Sequence, residues 1–304
     1  MKNFLLFSGS SNRSLAQDVA KRLGVPLGKV DLERFADGEV RPWIQEDVRD
    51  TTVFVLQSLS YPMDEHIMEL TLMGDAIRRG APKTMIAIVP YFGYARQDKL
   101  HRVGEPVSAR VIAKILEISK FKEVITVDLH NDAIVGFFQV PVTHVSALSL
   151  LVAELKKMNL TGAVAVSPDV GGIKRARNFA YALDIPLAVI EKKRYLDRRD
   201  TSEAFEIIGC DIGKTVIIID DMISTGGTIA HSTQSLVEAG AKRILVCATH
   251  GVLAGEALKN LEHAAIERVI VTNTIAIPPE KQLAKMKLVS IAPLIADAIS
   301  QIVR

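Results

Sequence analysis

The sequence predicts an α/β protein of two tandem domains, each with a mainly parallel sheet flanked by helices. Two observations carry that expectation. Apolar, β-branched runs recur along the chain with helical patterns between them, the order that builds parallel sheets. One half of the chain also repeats in the other: TVFVLQSLS, a helical stretch and RRGAPKTMIAIVPY correspond to TVIIIDDMIS, a helical stretch and VEAGAKRILVCATH. At 304 residues there is room for two domains of ordinary size.

Taken in order, the predicted strands are NFLLF at 3–7, TVFVLQ at 52–57, TMIAIV at 84–89, EVITVD at 123–128, AVAVS at 163–167, PLAVI at 186–190, TVIIID at 215–220, ILVCAT at 244–249 and RVIVT at 268–272. Several, Ile217 to Ile219 among them, lack polar alternation, as expected of strands covered on both faces. No low-complexity linker interrupts the pattern, so the boundary is placed by the repeat. It falls near residue 145, giving an N-terminal domain over 1–145 and a C-terminal domain over 146–304.

The 37 Lys and Arg against 35 Asp and Glu leave a net charge of +2, so nothing global points to nucleic acid or a membrane surface as a partner. Cys210 and Cys247 lie far apart beside predicted strands, which suits core packing and not a disulfide framework or a thiolate metal site. The apolar run near the N-terminus is too short for a secretory signal, and no run approaches the roughly 20 apolar residues of a spanning helix. A cytoplasmic protein is expected.

The chemistry concentrates in a few strand-end segments. In IIIDDMISTGGT, Asp220 and Asp221 stand at the end of an apolar run, followed by Ser224, Thr225, Gly226, Gly227 and Thr228, with Gly240 a plausible end for the next helix. Hydroxyls and unhindered amides at a helix N-terminus favour a phosphate, whereas two carboxylates repel one unless they face elsewhere. The segment therefore suits a ligand with a phosphate at one end and hydroxyls or a metal at the other. A sugar phosphate fits; the plainer reading is a strand end followed by a capped helix. The first copy has SLSYPMDEH at this place, so such a site is expected once per chain.

The segment resembles the phosphoribosyl-binding loop of the type I phosphoribosyltransferase fold. RFADGE at 34–39, PYFGYARQDK at 90–99, VDLHNDAIVGFF at 127–138, SPDVGGIKRAR at 167–177 and EKKR at 191–194 narrow this further. In that order and spacing they resemble the ribose-phosphate diphosphokinases, or phosphoribosyl pyrophosphate synthetases, nearly end to end. The resemblance implies transfer of the β,γ-diphosphoryl group of ATP to the anomeric hydroxyl of ribose 5-phosphate, giving 5-phosphoribosyl 1-pyrophosphate and AMP.

On their own, Phe35 offers a stacking face, and Asp37 and Glu39 flank Gly38 with acceptors for an amino proton, although RFADGE also reads as an ordinary Asp-Gly turn. The resemblance assigns these residues to adenine on the site of a neighbouring subunit, in a homo-oligomer with shared active sites. Arg34, Asp37, Glu39, Arg41 and Trp43 suit an exposed hairpin. Arg96 and Gln97 follow a strand end, where α/β sheets present binding loops, with Lys99 and Arg102 close in sequence; they read as ATP-binding residues.

The resemblance places Mg²⁺ at His130 and Asp169. Of the two, the carboxylate is the more natural partner for a hard cation, and Gly171 and Gly172 leave room for a phosphate-bearing ligand. Lys192 and Arg194 match the catalytic pair of the family, Arg194 also facing ribose 5-phosphate, in the basic segment EKKRYLDRRD. Diphosphoryl transfer builds negative charge, and cationic donors are a main tool against it. DKLHRVGE at 98–105 and YLDRRDTSE at 195–203 depart from the forms of the phosphate-activated class, so allosteric control is not carried over. A phosphoribosyltransferase would need neither RFADGE nor a second nucleotide loop. A catalytically silent homologue would tend to have altered catalytic loops, whereas Lys192, Arg194, Asp220 and Asp221 are all present.

Overall fold

The computed structural model describes residues 4–100, 102–193 and 204–303, with the backbone alone at 192–193 and 204–205. Two compact units result. The first comprises 1–147, 274–276 and 290–304, and the second 148–273 and 277–289. Among the described residues no helix is long and apolar enough to cross a membrane.

In the first unit the chain runs through β1 (Phe4–Ser8), α1 (Arg13–Leu23), β2 (Val30–Arg34), β3 (Val40–Ile44), β4 (Thr52–Leu56), α2 (Met63–Arg79), β5 (Thr84–Val89), α3 (Ser108–Ile118), β6 (Glu123–Val127), a 3-10 turn (Asp132–Phe137) and β7 (Val142–Val145). Strands β1, β4, β5, β6 and β7 form a sheet in that spatial order, and every pairing is parallel. β2 and β3 stand apart as an antiparallel pair. The covered strands are apolar without alternation: Val53, Phe54, Val55 and Leu56 are all buried.

α1 shows how local chemistry sets an element. The Asn12 side chain caps its N-terminus by accepting from the Leu15 N–H at 3.3 Å, and Gly24, at φ 67°, ends it in the left-handed conformation. Leu15, Val19 and Leu23 recur every four residues on the buried face.

The second unit carries α4 (Leu148–Leu155), β8 (Ala163–Ser167), α5 (Ile173–Leu183), β9 (Leu187–Lys193), β10 (Ala204–Ile208), β11 (Thr215–Ile223), α6 (Gly227–Glu238), β12 (Arg243–Gly251), α7 (Ala257–Leu261), β13 (Ile266–Thr272) and β14 (Met286–Val289). Its sheet runs β10, β9, β8, β11, β12, β13, β14; all neighbours are parallel except the antiparallel pair of β9 and β10. Strip away β9 and β10 and the order β8, β11, β12, β13, β14 reproduces that of the first unit. The internal repeat is therefore a repeat of topology.

The last helix, α8 (Ala292–Ile302), was expected in the second domain but belongs to the first unit, where it packs against α1. Ile295 and Ile299, both fully buried, drive this return, since burying each contributes about 1.5–3 kcal/mol. β10 and β14 were not expected as strands. Both are short edges, and Lys287 and Leu288 of β14 are exposed, so they lack the continuous apolar run that marks a central strand.

Candidate active site

In the first unit the hairpin of β2 and β3 presents residues 35–39 at its tip. Phe35 N–H donates to the Glu39 carbonyl and Gly38 N–H to the Phe35 carbonyl, each at 2.9 Å, with Gly38 at φ 95°. Asp37 accepts from the Glu39 N–H at 3.2 Å, and Arg34 reaches the Gly38 carbonyl at 2.9 Å. Phe35 is 50% exposed and Trp43 58%, so the hairpin displays two aromatic surfaces, with the Arg41 guanidinium 5.6 Å from the Phe35 ring centroid.

Arg96 and Gln97 follow β5 in an exposed turn. Gln97 N–H donates to the Tyr94 carbonyl at 3.0 Å, Ala109 N–H to the Gln97 carbonyl at 3.2 Å, and the Ser108 hydroxyl to the Gln97 amide oxygen at 2.6 Å. The neighbouring parallel strand, β6, ends in the turn that exposes His130. Leu129 N–H donates to His144 Nε2 at 2.9 Å, and Asn131 Nδ2 donates to Asp98 Oδ2 at 2.6 Å. Asp98 and Asn131 neighbour expected ligands in sequence, whereas His144 arrives from β7, and no local signal marks it. The unit thus brings the Arg96–Gln97 loop and the His130 turn together at the carboxyl ends of adjacent strands.

In the second unit β11 runs three residues farther than predicted, so Asp220 and Asp221 lie inside the strand and not at its end. Its pairing with β12 continues through Met222 and Ile223, which supplies the backbone partners that carry it on. β8 pairs with β11 only as far as Val166–Ile218, so Asp220 and the Ser167–Asp169 turn both stand at the carboxyl edge of the sheet. There Ser167 donates to the Asp169 carbonyl at 2.7 Å, and Asp169 Oδ1 accepts from the Gly172 N–H at 2.8 Å. A Cβ on Gly172 would come within 2.8 Å of the Ser167 hydroxyl oxygen, so a larger residue there would displace the hydroxyl from the Asp169 carbonyl.

The two acids differ. Asp221 is buried and faces Arg175 across 3.5 Å, an ion pair the sequence reading missed although Arg175 lies one turn into the helix after Gly171–Gly172. Asp220 has its pKa pushed well above the usual carboxylate value, first by burial, then by the charge of Asp221, with a smaller contribution from Asp169. Its Oδ1 accepts from the Asp221 N–H at 2.8 Å. A carboxylate held at such cost is poised for a ligand that donates hydrogen bonds or brings positive charge.

Ser224 to Thr228 follow, with Gly226 at φ 73° directly before α6. Among the described residues no side chain caps this helix, leaving its first N–H groups to an anion. Asn260 holds the turn by donating to the Thr225 carbonyl at 2.9 Å. The first unit's counterpart of Asp220 is Gln57. Its side chain donates to Glu69 at 2.6 Å and accepts from the Ser11 hydroxyl at 2.7 Å, while the first turn of α2 carries Asp64 and Glu65. That helix start has its own negative charges, which disfavours a phosphate.

A consequence follows for Gly226. In Gly226→Ala the new Cβ would lie 3.1 Å from Asn260 Cβ and 3.3 Å from the Ala257 carbonyl, in a left-handed conformation. The strain alone costs about 1–2 kcal/mol. Urea denaturation should register that loss, and the KM for a sugar phosphate should rise several-fold; an unchanged midpoint would show that the turn relaxes freely.

Lys192 lies on the overhang of β9, where the backbone pairs with Phe205 and has passed the last β8 partner, Val189–Ser167. Arg194 lies outside the described residues. His130 belongs to the first unit and Asp169 to the second. Among the described residues no three His, Cys, Asp or Glu side chains are grouped to hold a metal. Of His130 and Asp169, the Asp169 carboxylate suits a hard cation such as Mg²⁺, which typically takes one or two carboxylates together with phosphate oxygens and water, and the His130 imidazole is the less natural donor.

Comparison with known proteins gives the family. Residues 4–119 match the N-terminal domain of ribose phosphate pyrophosphokinase, and residues 200–304 the phosphoribosyl synthetase-associated domain. A ribose-phosphate pyrophosphokinase from Bacillus cereus is 44% identical over 300 residues, covering 99% of this chain and 94% of the relative, and one from Corynebacterium ammoniagenes is equally similar over the same shares. The crystal structure of phosphoribosylpyrophosphate synthetase from Mycobacterium smegmatis superposes with a TM-score of 0.93 at 41% identity, over 99% of both chains. With identity of this order sustained from end to end, and an acid pair leading into an uncapped helix at the carboxyl edge of the second sheet, the chain belongs to the ribose-phosphate pyrophosphokinase family.

Proposed function

We propose that this protein transfers the β,γ-diphosphoryl group of ATP to the anomeric hydroxyl of ribose 5-phosphate, releasing AMP and 5-phosphoribosyl 1-pyrophosphate. The anomeric oxygen bonds to the β-phosphorus as the bridge to the α-phosphate breaks. The observation that carries the reading is the paired acids Asp220 and Asp221 running into the open N-terminus of α6.

In this reading Asp220 and Asp221 accept from the ribose hydroxyls, and Ser224, Thr225, Gly226, Gly227 and Thr228 hold the 5-phosphate with backbone N–H groups and hydroxyls. Arg96 and Gln97 hold the nucleotide phosphates, and Phe35, Asp37, Gly38 and Glu39 its adenine. Lys192 and Arg194 stabilise the negative charge that develops during transfer, Arg194 also contacting ribose 5-phosphate. Mg²⁺, arriving with ATP and held through His130 and Asp169, supplies further charge neutralisation on the phosphates. The protein acts in the cytoplasm as a homo-oligomer, with no nucleic acid or membrane partner.

A coupled assay should show AMP formed from ATP in a strictly ribose 5-phosphate-dependent manner; AMP formed at the same rate without the sugar would overturn the reading. The placement of adenine has its own test, since an exposed aromatic hairpin tip suits a neighbouring subunit. Glu39→Arg and Lys192→Ala, each strongly impaired alone, should regain part of the activity after subunit exchange. Some mixed dimers would then hold one site with both defects and one with neither. A mixture that exchanges by mass yet regains no activity would put the adenine site within one chain.

A further inference from the structure

The loop bearing Arg96 and Gln97 and the turn bearing His130 leave neighbouring strands, and a side-chain bond joins them. Asn131 Nδ2 donates to Asp98 Oδ2 at 2.6 Å. The same amide has a second duty, because its Oδ1 accepts from the Ala133 N–H at 3.0 Å and caps the 3-10 turn at 132–137. The other side of the turn is fixed independently: Leu129 N–H donates to His144 Nε2 at 2.9 Å, and Asp128 accepts from the Ala147 N–H at 3.0 Å. The Asp98–Asn131 bond thus ties the Arg96–Gln97 loop to a His130 turn already anchored on its other side.

We propose that Asn131 and Asp98 are positioning residues that hold the two nucleotide-phosphate loops in register. Neither needs to touch ATP. The inference rests on the assignment of Arg96, Gln97 and His130 to the nucleotide. A polyphosphate demands its donors at fixed mutual distances, so small displacements between two loops are felt in binding. The bond lies at the surface, with Asn131 exposed and Asp98 half-buried, so it adds little to folding. Its effect should appear in ATP handling and not in stability.

The two duties of Asn131 can be separated. Asn131→Asp keeps an oxygen to cap Ala133, since aspartate caps as well as asparagine, but sets two carboxylates against each other across the loops. The KM for ATP should rise roughly three- to tenfold, with the KM for ribose 5-phosphate within about twofold and the thermal midpoint nearly unchanged. Asp98→Asn combined with Asn131→Asp reverses donor and acceptor and should bring the KM for ATP most of the way back, the coupling expected of residues in direct contact. A wild-type KM for ATP in Asn131→Asp, or failure of the exchanged pair to recover, overturns the inference. Arg96→Ala, measured in parallel, separates the two readings. If it raises the KM for ATP while Asn131→Asp does not, only the positioning role falls. If Arg96→Ala leaves ATP binding intact, the nucleotide assignment falls and the positioning role with it.

Discussion

Lys192→Ala should lower kcat by roughly 10²-fold or more while leaving the KM for ATP and for ribose 5-phosphate within a few-fold. The expectation comes from where β9 ends. The strand continues to Lys193, past the last β8 partner at Ser167, so the backbone of Lys192 lies at the same carboxyl edge of the sheet as Asp169 and Asp220. In-line diphosphoryl transfer leaves little covalent work for the protein, and a cation that meets charge present only in the transition state changes kcat without changing substrate affinity. Steady-state kinetics at saturating Mg²⁺ would check this. A variant with normal kcat removes Lys192 from catalysis, and one with raised KM alone makes it a binding residue.

Asp220→Asn should raise the KM for ribose 5-phosphate at least tenfold, by about 1.4 kcal/mol or more of lost binding, with the KM for ATP far less affected. Thr228→Val should move in the same direction. Equal effects on both substrates would mean that this loop is not the sugar-phosphate site. The same substitution should stabilise the ligand-free protein. The Asp220 carboxyl has a pKa well above its unfolded value, because burial and the Asp221 charge penalise ionisation, so the folded state binds its proton more tightly than the unfolded state. The resulting cost is absent below the ordinary carboxylate range, grows as pH rises toward the elevated pKa, and is complete above it. Asparagine keeps an oxygen for the Asp221 N–H and has no charge to desolvate. The thermal midpoint of Asp220→Asn should therefore exceed that of the parent at pH 8, and the gap should close as the pH is lowered. A gap that widens in acid would show that Asp220 is stabilised, not strained, as a carboxylate. Gain of stability with loss of binding is the trade expected where a site holds charge in readiness for a ligand.

The sequence by itself determined the central strands, the repeat and the turn that carries Asp169 just after a strand. These depend on local pattern: Val53 to Leu56 and Val216 to Ile219 are continuous apolar runs because both faces of a parallel strand are covered, and Asp169 lies two residues after the run Ala163–Ser167. The tertiary structure alone decided what depends on residues distant in the chain. β10 and β14 exist because a neighbouring strand offers them hydrogen bonds, not because their own composition demands it. α8 lies in the first unit because the buried faces of α1 and α8 match, and no local signal in Ile295 or Ile299 says which apolar surface they will cover. The different fates of Asp220 and Asp221 follow the same rule. Adjacent in sequence, they alternate across β11, and only the fold brings Arg175 to Asp221 while burial and the Asp221 charge raise the pKa of Asp220.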